Sequence, residues 1–279
     1  MLTPAIDAHV HIWNRNRGET FIAEKQYPAL TGRAFLPEDL VPVLAETGAA
    51  SAVLVHGPAS VAHALYCLEL CRVHSFFRAA VGWVDLRDPA FASQLAEQSE
   101  DPNFRGVRFT PLLDLDPHAY LRSDAAASVC ASLARGGHLV EILAPPDLFD
   151  AVHELACAQP DLTVVLAHFG LPDGRAASLP AWRQRIERLA RRPNIHVKLS
   201  GLPLTGGNPV DTTMTRTHVE ALLELFGPQR LLYASNWPVA TALARPDHWK
   251  ILLTSALRTL GTTESQQMAI FSGNAARLY

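Results

Sequence analysis

The chain has 279 residues, 48% of them hydrophobic and 18% charged, with a formal net charge of −3. That apolar share excludes disorder as the dominant state, and the length suits one large domain better than two of average size. The mild acidity carries no basic field, which excludes a nucleic-acid reader and a basic membrane-surface helix, and no stretch reaches the roughly 18 uninterrupted apolar residues of a membrane span.

The opening MLTPAIDAHVHIW has no charged start followed by an apolar run, so no signal peptide is predicted. Cys67, Cys71, Cys130 and Cys157 form no CxxC pairs of a zinc ribbon and read as reduced, buried thiols, in keeping with a cytoplasmic protein. Along the chain, β-rich runs alternate with helical stretches. Strands are predicted at Ala5–His11, Ala52–His56, Phe77–Val84, Gly106–Thr110, His138–Leu143, Thr163–His168, Ile195–Ser200 and Arg230–Ser235. Helical spacing covers Val61–His74, Ala125–Arg135, Asp147–Ala158, Trp182–Arg191, Val219–Phe226 and Trp249–Leu260. Alternation of this kind implies parallel pairing, and eight units in this length predict a single-domain (β/α)8 TIM barrel over residues 1–279. An open doubly wound sheet ranks second, because His-Ile-Trp-Asn stands where such a fold usually carries a Gly-rich phosphate turn. The segment Asn14–Phe35 is predicted as an irregular insertion lying over the mouth of the barrel.

Alternation along the strands nominates the inward groups. In strand one, Ile6, Ala8, Val10 and Ile12 share a face that should pack on helices, and Asp7, His9, His11 and Trp13 share the face expected inside. Polar groups there must be paired or functional, and a His-x-His pair at a strand's C-terminal end favours function over a satisfied core cluster. His168 ends strand six, where a lone satisfied histidine is equally consistent. On strand seven His196, Lys198 and Ser200 point inward, with Lys198 expected to pair with Asp7 or Glu141. Arg108 should face the mouth and clasp a carboxylate or polyol oxygen, or else form an internal salt bridge. Asn236 follows strand eight as a mouth residue or a turn residue before Trp-Pro. His56, Tyr27 and Trp83 are wall candidates, each equally consistent with packing.

The pieces Asp7-Ala-His-Val-His-Ile-Trp, Gly82-Trp-Val-Asp-Leu, Gly106-Val-Arg, His168-Phe-Gly, Lys198-Leu-Ser-Gly, Ser235-Asn-Trp-Pro-Val and Gly273-Asn-Ala-Ala-Arg-Leu-Tyr run in order from residue 6 to residue 279. On them the chain resembles the amidohydrolase superfamily, in particular its sugar-acid lactonase and 2-pyrone-4,6-dicarboxylate lactonase branch. The resemblance implies a distorted (β/α)8 barrel that opens a small-molecule lactone, either a sugar-acid lactone or a muconolactone or pyrone-type cyclic ester, by water attack at the mouth. It implies that His9, His11 and His168 are catalytic and either bind a metal or contact the lactone carbonyl, with zinc and a metal-free site both open. Asp7 would orient a ligand histidine, and Arg108 would lie near a substrate carboxylate, with His56, Tyr27 and Trp83 around the substrate. No nucleic-acid or membrane partner is implied, and a homo-oligomer is left open. Two positions depart from the pattern. Asn236 stands where relatives carry the aspartate that moves the water's proton, and Leu171 stands where a basic residue is common. An amide cannot take up and release a proton near neutral pH. The base would then be His168 or a metal-bound hydroxide. The alternatives are a metal-dependent decarboxylase of the same superfamily, or a catalytically impaired ligand-binding variant.

Overall fold

The computed structural model describes residues 4–173, 175–201 and 212–279. Eight parallel strands lie side by side in sequence order. They are β1 (Ala5–Val10), β2 (Ala49–Val55), β3 (Phe77–Gly82), β4 (Phe104–Phe109), β5 (Leu139–Ile142), β6 (Thr163–Leu166), β7 (Ile195–Leu199) and β8 (Leu231–Tyr233). The ring closes just beyond β8, where the His11 amide donates to the Trp237 carbonyl at 2.8 Å and the Asn236 amide to the His9 carbonyl at 3.0 Å. The expected barrel is therefore the observed one. Its strands stop one or two residues short of the predicted C-terminal ends, which leaves His11, His56, His168 and Asn236 on the turns that follow the strands. This is the edge where barrel enzymes keep their chemistry.

Between the strands run α1 (Pro37–Thr47), α2 (Val61–Val73), α3 (Phe91–Ser99), the short α4 (Pro117–Leu121), α5 (Asp124–Arg135), α6 (Phe149–Ala158), α7 (Leu179–Ala190), α8 (Thr212–Phe226) and α9 (His248–Thr259). The chain ends with α10 (Glu264–Met268) and α11 (Asn274–Leu278). Ser60 and Ser123 cap α2 and α5, each side chain accepting an amide hydrogen from the first turn. Five helices lie outside the predicted set, namely the five-residue α4, α10 and α11 and the longer α1 and α3. In α1, Pro37 and Pro42 mimic breakers, yet Pro37 opens the helix and the apolar residues Leu40, Val43 and Leu44 still bury on one side. In α3 only Leu95 and Gln98 are buried, too few to raise a periodic signal. The insertion at 14–35 forms three single 3₁₀ turns, Arg15–Arg17, Ile22–Lys25 and Pro28–Leu30, as its irregular composition implied. No described helix is long and apolar enough to cross a membrane.

The apolar residues form two layers. The larger cluster lies between the strands and the helices and contains Val10, Ile12, Ala52, Leu54, Val107, Val197 and Tyr233. The smaller one fills the barrel itself with Ile6, Ala8, Val53, Val55, Ala79, Val81, Val165, Leu232 and Ala234. The expected faces of strand one need correction at this point. Ile6 and Ala8 belong to the interior, and Asp7 pairs with Ala52 of the outer layer. The cause is a β-bulge: β1 advances from Asp7 to Val10 while β2 advances only from Ala52 to Leu54, so inside and outside exchange along β1. Only beyond the bulge do His9 and His11 turn inward. Asp7 consequently orients no histidine ring. Its Oδ1 accepts from the Ser235 amide at 2.8 Å and from the His9 amide at 3.2 Å, which ties the bulge to the barrel's closing seam. Burial pushes its carboxyl up to about 6. Another close approach explains Gly106, where a Cβ would lie 1.9 Å from the Leu139 carbonyl oxygen of β5. The cysteines differ from expectation in one case, since Cys67, Cys71 and Cys130 are buried but Cys157 is exposed, and all four are free.

Candidate active site

A cavity of about 440 Å³ opens at the C-terminal mouth of the barrel, and His11, Tyr27, Arg108, His168 and Asn236 line it. His9 lies directly beneath, its ring centroid 4.7 Å from those of both His11 and His168. These six predicted residues therefore gather at one place. His56 and Trp83 do not line the cavity. The His56 ring turns to the Pro58 carbonyl at 3.3 Å, and the Trp83 backbone is clamped at both polar atoms by the Gln98 side chain. The insertion lies at the mouth as expected and adds Phe21, Ile22, Ala23 and Gln26 to the wall beside Tyr27, whereas the contribution of Leu112 and Leu113 from the turn after β4 was not foreseen. No periodicity marks such a turn, so nothing in the sequence singles out Leu112 and Leu113, while the position of the insertion after strand one was enough to place it over the mouth.

Hydrogen bonds fix where the imidazole protons sit. His11 Nδ1 lies 2.9 Å from the Val55 carbonyl, which can only accept, so this nitrogen carries the proton. Burial and the nearby Arg108 hold His11 well below its usual range, so the ring is neutral and its Nε2 bears a lone pair. His9 Nε2, 3.0 Å away, must then be the donor. His9 Nδ1 is left to accept from the Lys198 ammonium at 3.3 Å. The chain of donors thus runs from Lys198 through His9 and His11 to Val55. Lys198 is in turn bound to Glu141, as one of its two expected pairings held. The last residue of the chain, Tyr279, reaches up the barrel and donates its hydroxyl to Glu141 at 2.6 Å. Sequence reading could not have found that contact, which links residues 138 positions apart.

His168 and Asn236 owe their placement to unusual backbone. His168, Phe169, Gly170 and Leu171 all have φ between 49° and 68°, and Asn236 has φ 61°. Such a run of left-handed residues is costly, and strain of this kind concentrates at functional sites. It turns the His168 ring so that Nδ1 lies 2.6 Å from the Ser200 hydroxyl. Burial keeps this imidazole neutral too, helped by Arg108 and Lys198. The Arg108 side chain is 4% exposed, its Nε has no hydrogen-bond partner, and it makes no ion pair among the described residues. Its register partner on β5 is Glu141, whose charge answers Lys198. Burial lowers the guanidinium to about 10, so it remains a cation at neutral pH. The mouth of the barrel therefore holds one positive charge that has no ion-pair partner among the described residues, beside neutral imidazoles, and no described residue lining it is acidic.

A resident zinc would need three deprotonated ring nitrogens aimed at one point. His9 and His11 face each other, but ligation through His9 Nε2 would move its proton to Nδ1, against the Lys198 ammonium. Glu141 Oε2, the other acceptor near that nitrogen, is 3.8 Å away. Among the described residues no group of three His, Cys, Asp or Glu side chains could hold a metal ion. As placed, then, the three rings form no ready-made metal site among the described residues.

Comparison with known proteins gives a consistent picture. A family model described as amidohydrolase matches residues 6–279. The chain is 29% identical to an L-fucono-1,5-lactonase of Burkholderia ambifaria over all of its length and 96% of the relative's. An L-fucono-1,5-lactonase of Burkholderia multivorans is 28% identical over 98% of this chain and 95% of that one. An amidohydrolase from Burkholderia multivorans, solved with zinc bound, superposes with a TM-score of 0.88 at 26% identity, covering 99% of both chains.

Proposed function

The chain belongs to the amidohydrolase family, and on that premise we propose that it opens a lactone by adding water to the ring carbonyl at the mouth of its barrel. The supporting observation is the pairing, in one cavity, of neutral His168 with the Arg108 cation, which makes no ion pair among the described residues. Relatives named as lactonases along nearly their whole length support a cyclic ester as the substrate class.

When Nδ1 of His168 donates to the Ser200 hydroxyl, its Nε2 keeps a lone pair for the attacking water. The water oxygen bonds to the carbonyl carbon, the π pair moves onto the carbonyl oxygen, and His168 takes the proton. Arg108 and the Asn236 amide face the oxyanion that forms, where preorganised donors act most strongly. Collapse breaks the bond from the acyl carbon to the ring oxygen, and His168 returns its proton to that oxygen. The product is a hydroxy acid whose carboxylate lies beside Arg108. His9 and His11 shape the floor with their fixed protons, and Lys198, Glu141 and Tyr279 hold them from below. Tyr27 stands on the wall against the substrate. A decarboxylase of this family would require a carboxylate on the metal, and no described cavity residue supplies one. Four free thiols suit a reducing, cytoplasmic setting.

A pH-indicator assay over a panel of lactones tests the proposal. Acid release above the buffer blank is expected, at the same rate before and after chelation with EDTA. Loss of rate on chelation, restored by zinc, would contradict the metal-free step.

A further inference from the structure

Above its histidine floor the cavity changes character. Ile22 from the insertion and Leu112 and Leu113 from the turn after β4 line it while remaining 43%, 44% and 46% exposed. Leu143, Leu171 and Val239 continue the same wall at the ends of β5, β6 and β8. Scattered surface leucines mean little, but exposed apolar side chains gathered along the wall of a reaction cavity mark where a ligand covers them. A ring bearing hydroxyls on every carbon would turn some of them toward these side chains and leave them without partners, which is costly. A cavity of about 440 Å³ also exceeds what a bare five- or six-membered ring fills.

We propose that the lactone this site takes carries an alkyl arm several carbons long, lying against Ile22, Leu112 and Leu113 while the ring carbonyl meets Arg108 and His168. The occupant is part of the substrate because the apolar wall is continuous with the polar floor inside a single cavity. The inference rests on the lactone-opening reading and narrows it to alkyl-substituted cyclic esters.

The test is kcat/KM along the series δ-valerolactone, δ-hexalactone, δ-octalactone and δ-decalactone, with glucono-1,5-lactone as the polyhydroxylated comparison. Each buried methylene should raise kcat/KM by ~fourfold until the arm reaches the rim, with glucono-1,5-lactone below δ-octalactone. Leu113→Asn combined with Ile22→Asn should cut the octalactone-to-valerolactone ratio at least tenfold. Leu113→Met should keep it, which separates lost apolar contact from lost folding. A series without slope, or glucono-1,5-lactone preferred over every alkyl lactone, would overturn the inference and leave lactone opening intact. Failure to open any lactone would overturn both.

Discussion

Asn236 is held in the left-handed region at φ 61°, a conformation that Asn and Asp tolerate better than other side chains, so exchanging one for the other strains nothing. Asn236→Asp would place a carboxylate at the mouth beside His168 and Arg108 and add a second group able to move the water's proton. General bases typically contribute about 10²-fold or more, and a rise in kcat of at least ~tenfold is expected from steady-state rates. An unchanged or lower kcat would mean that Asn236 does not stand where the water is attacked. Asp7 makes a different kind of prediction. Its folded pKa is raised to about 6 by burial, so the folded state binds the extra proton between that value and 3.8. Stability from this group is present at low pH and is lost as pH rises through 6, by ~3 kcal/mol in all. Asp7→Asn keeps the carbonyl oxygen that accepts from the Ser235 and His9 amides and removes the charge. Urea unfolding should show the variant gaining on the wild type between pH 5 and pH 8, and equal pH profiles would contradict the raised pKa. His9, His11, Arg108, His168 and Asn236 were legible in the sequence because their positions at strand ends imply the mouth. The side on which Asp7 lies was not, since a bulge leaves no mark in a pattern of alternation.

Elements with strong alternation were read correctly, and those whose shape comes from tertiary contacts were not. All eight strands appear where the β-rich runs lie, while α1 hides behind its prolines and α3 behind a nearly polar surface. The turn after β6 is the least readable from sequence, because nothing local in His-Phe-Gly-Leu announces four positive φ angles in succession. That turn is supported from β7. A Cβ on Gly201, itself at φ 70°, would lie 3.0 Å from Cβ and Cγ of His168. Gly201→Ala should therefore cost ~1–2 kcal/mol in urea unfolding from the backbone alone and should also shift His168 away from Ser200. A fall in kcat with KM little changed is expected, and wild-type kcat in a destabilised protein would show that this turn does not position the histidine.

At the scale of the molecule, the barrel concentrates uncharged imidazoles in its interior. His9, His11, His56 and His168 are all held well below 6.5, in each case mainly by burial. In the unfolded chain these rings bind protons below about 6.5 and in the folded chain they do not, so stability present above that pH is lost as pH falls. Each ring contributes about 1.4 kcal/mol per pH unit, and together they outweigh the opposite effect of Asp7. The urea midpoint should fall steeply between pH 6.5 and pH 5, and a flat profile there would contradict neutral rings in the interior. The same neutrality gives the cavity its base, and the Arg108 cation gives it the charge that an oxyanion needs. Water attack at a ring carbonyl follows from those two features, and isotope placement reads it directly. Turnover of a lactone in ¹⁸O-labelled water, followed by mass spectrometry, should place one label in the product's carboxylate and none in its hydroxyl, with turnover falling to background in His168→Ala. Label in the hydroxyl oxygen, or undiminished turnover in His168→Ala, would contradict the account.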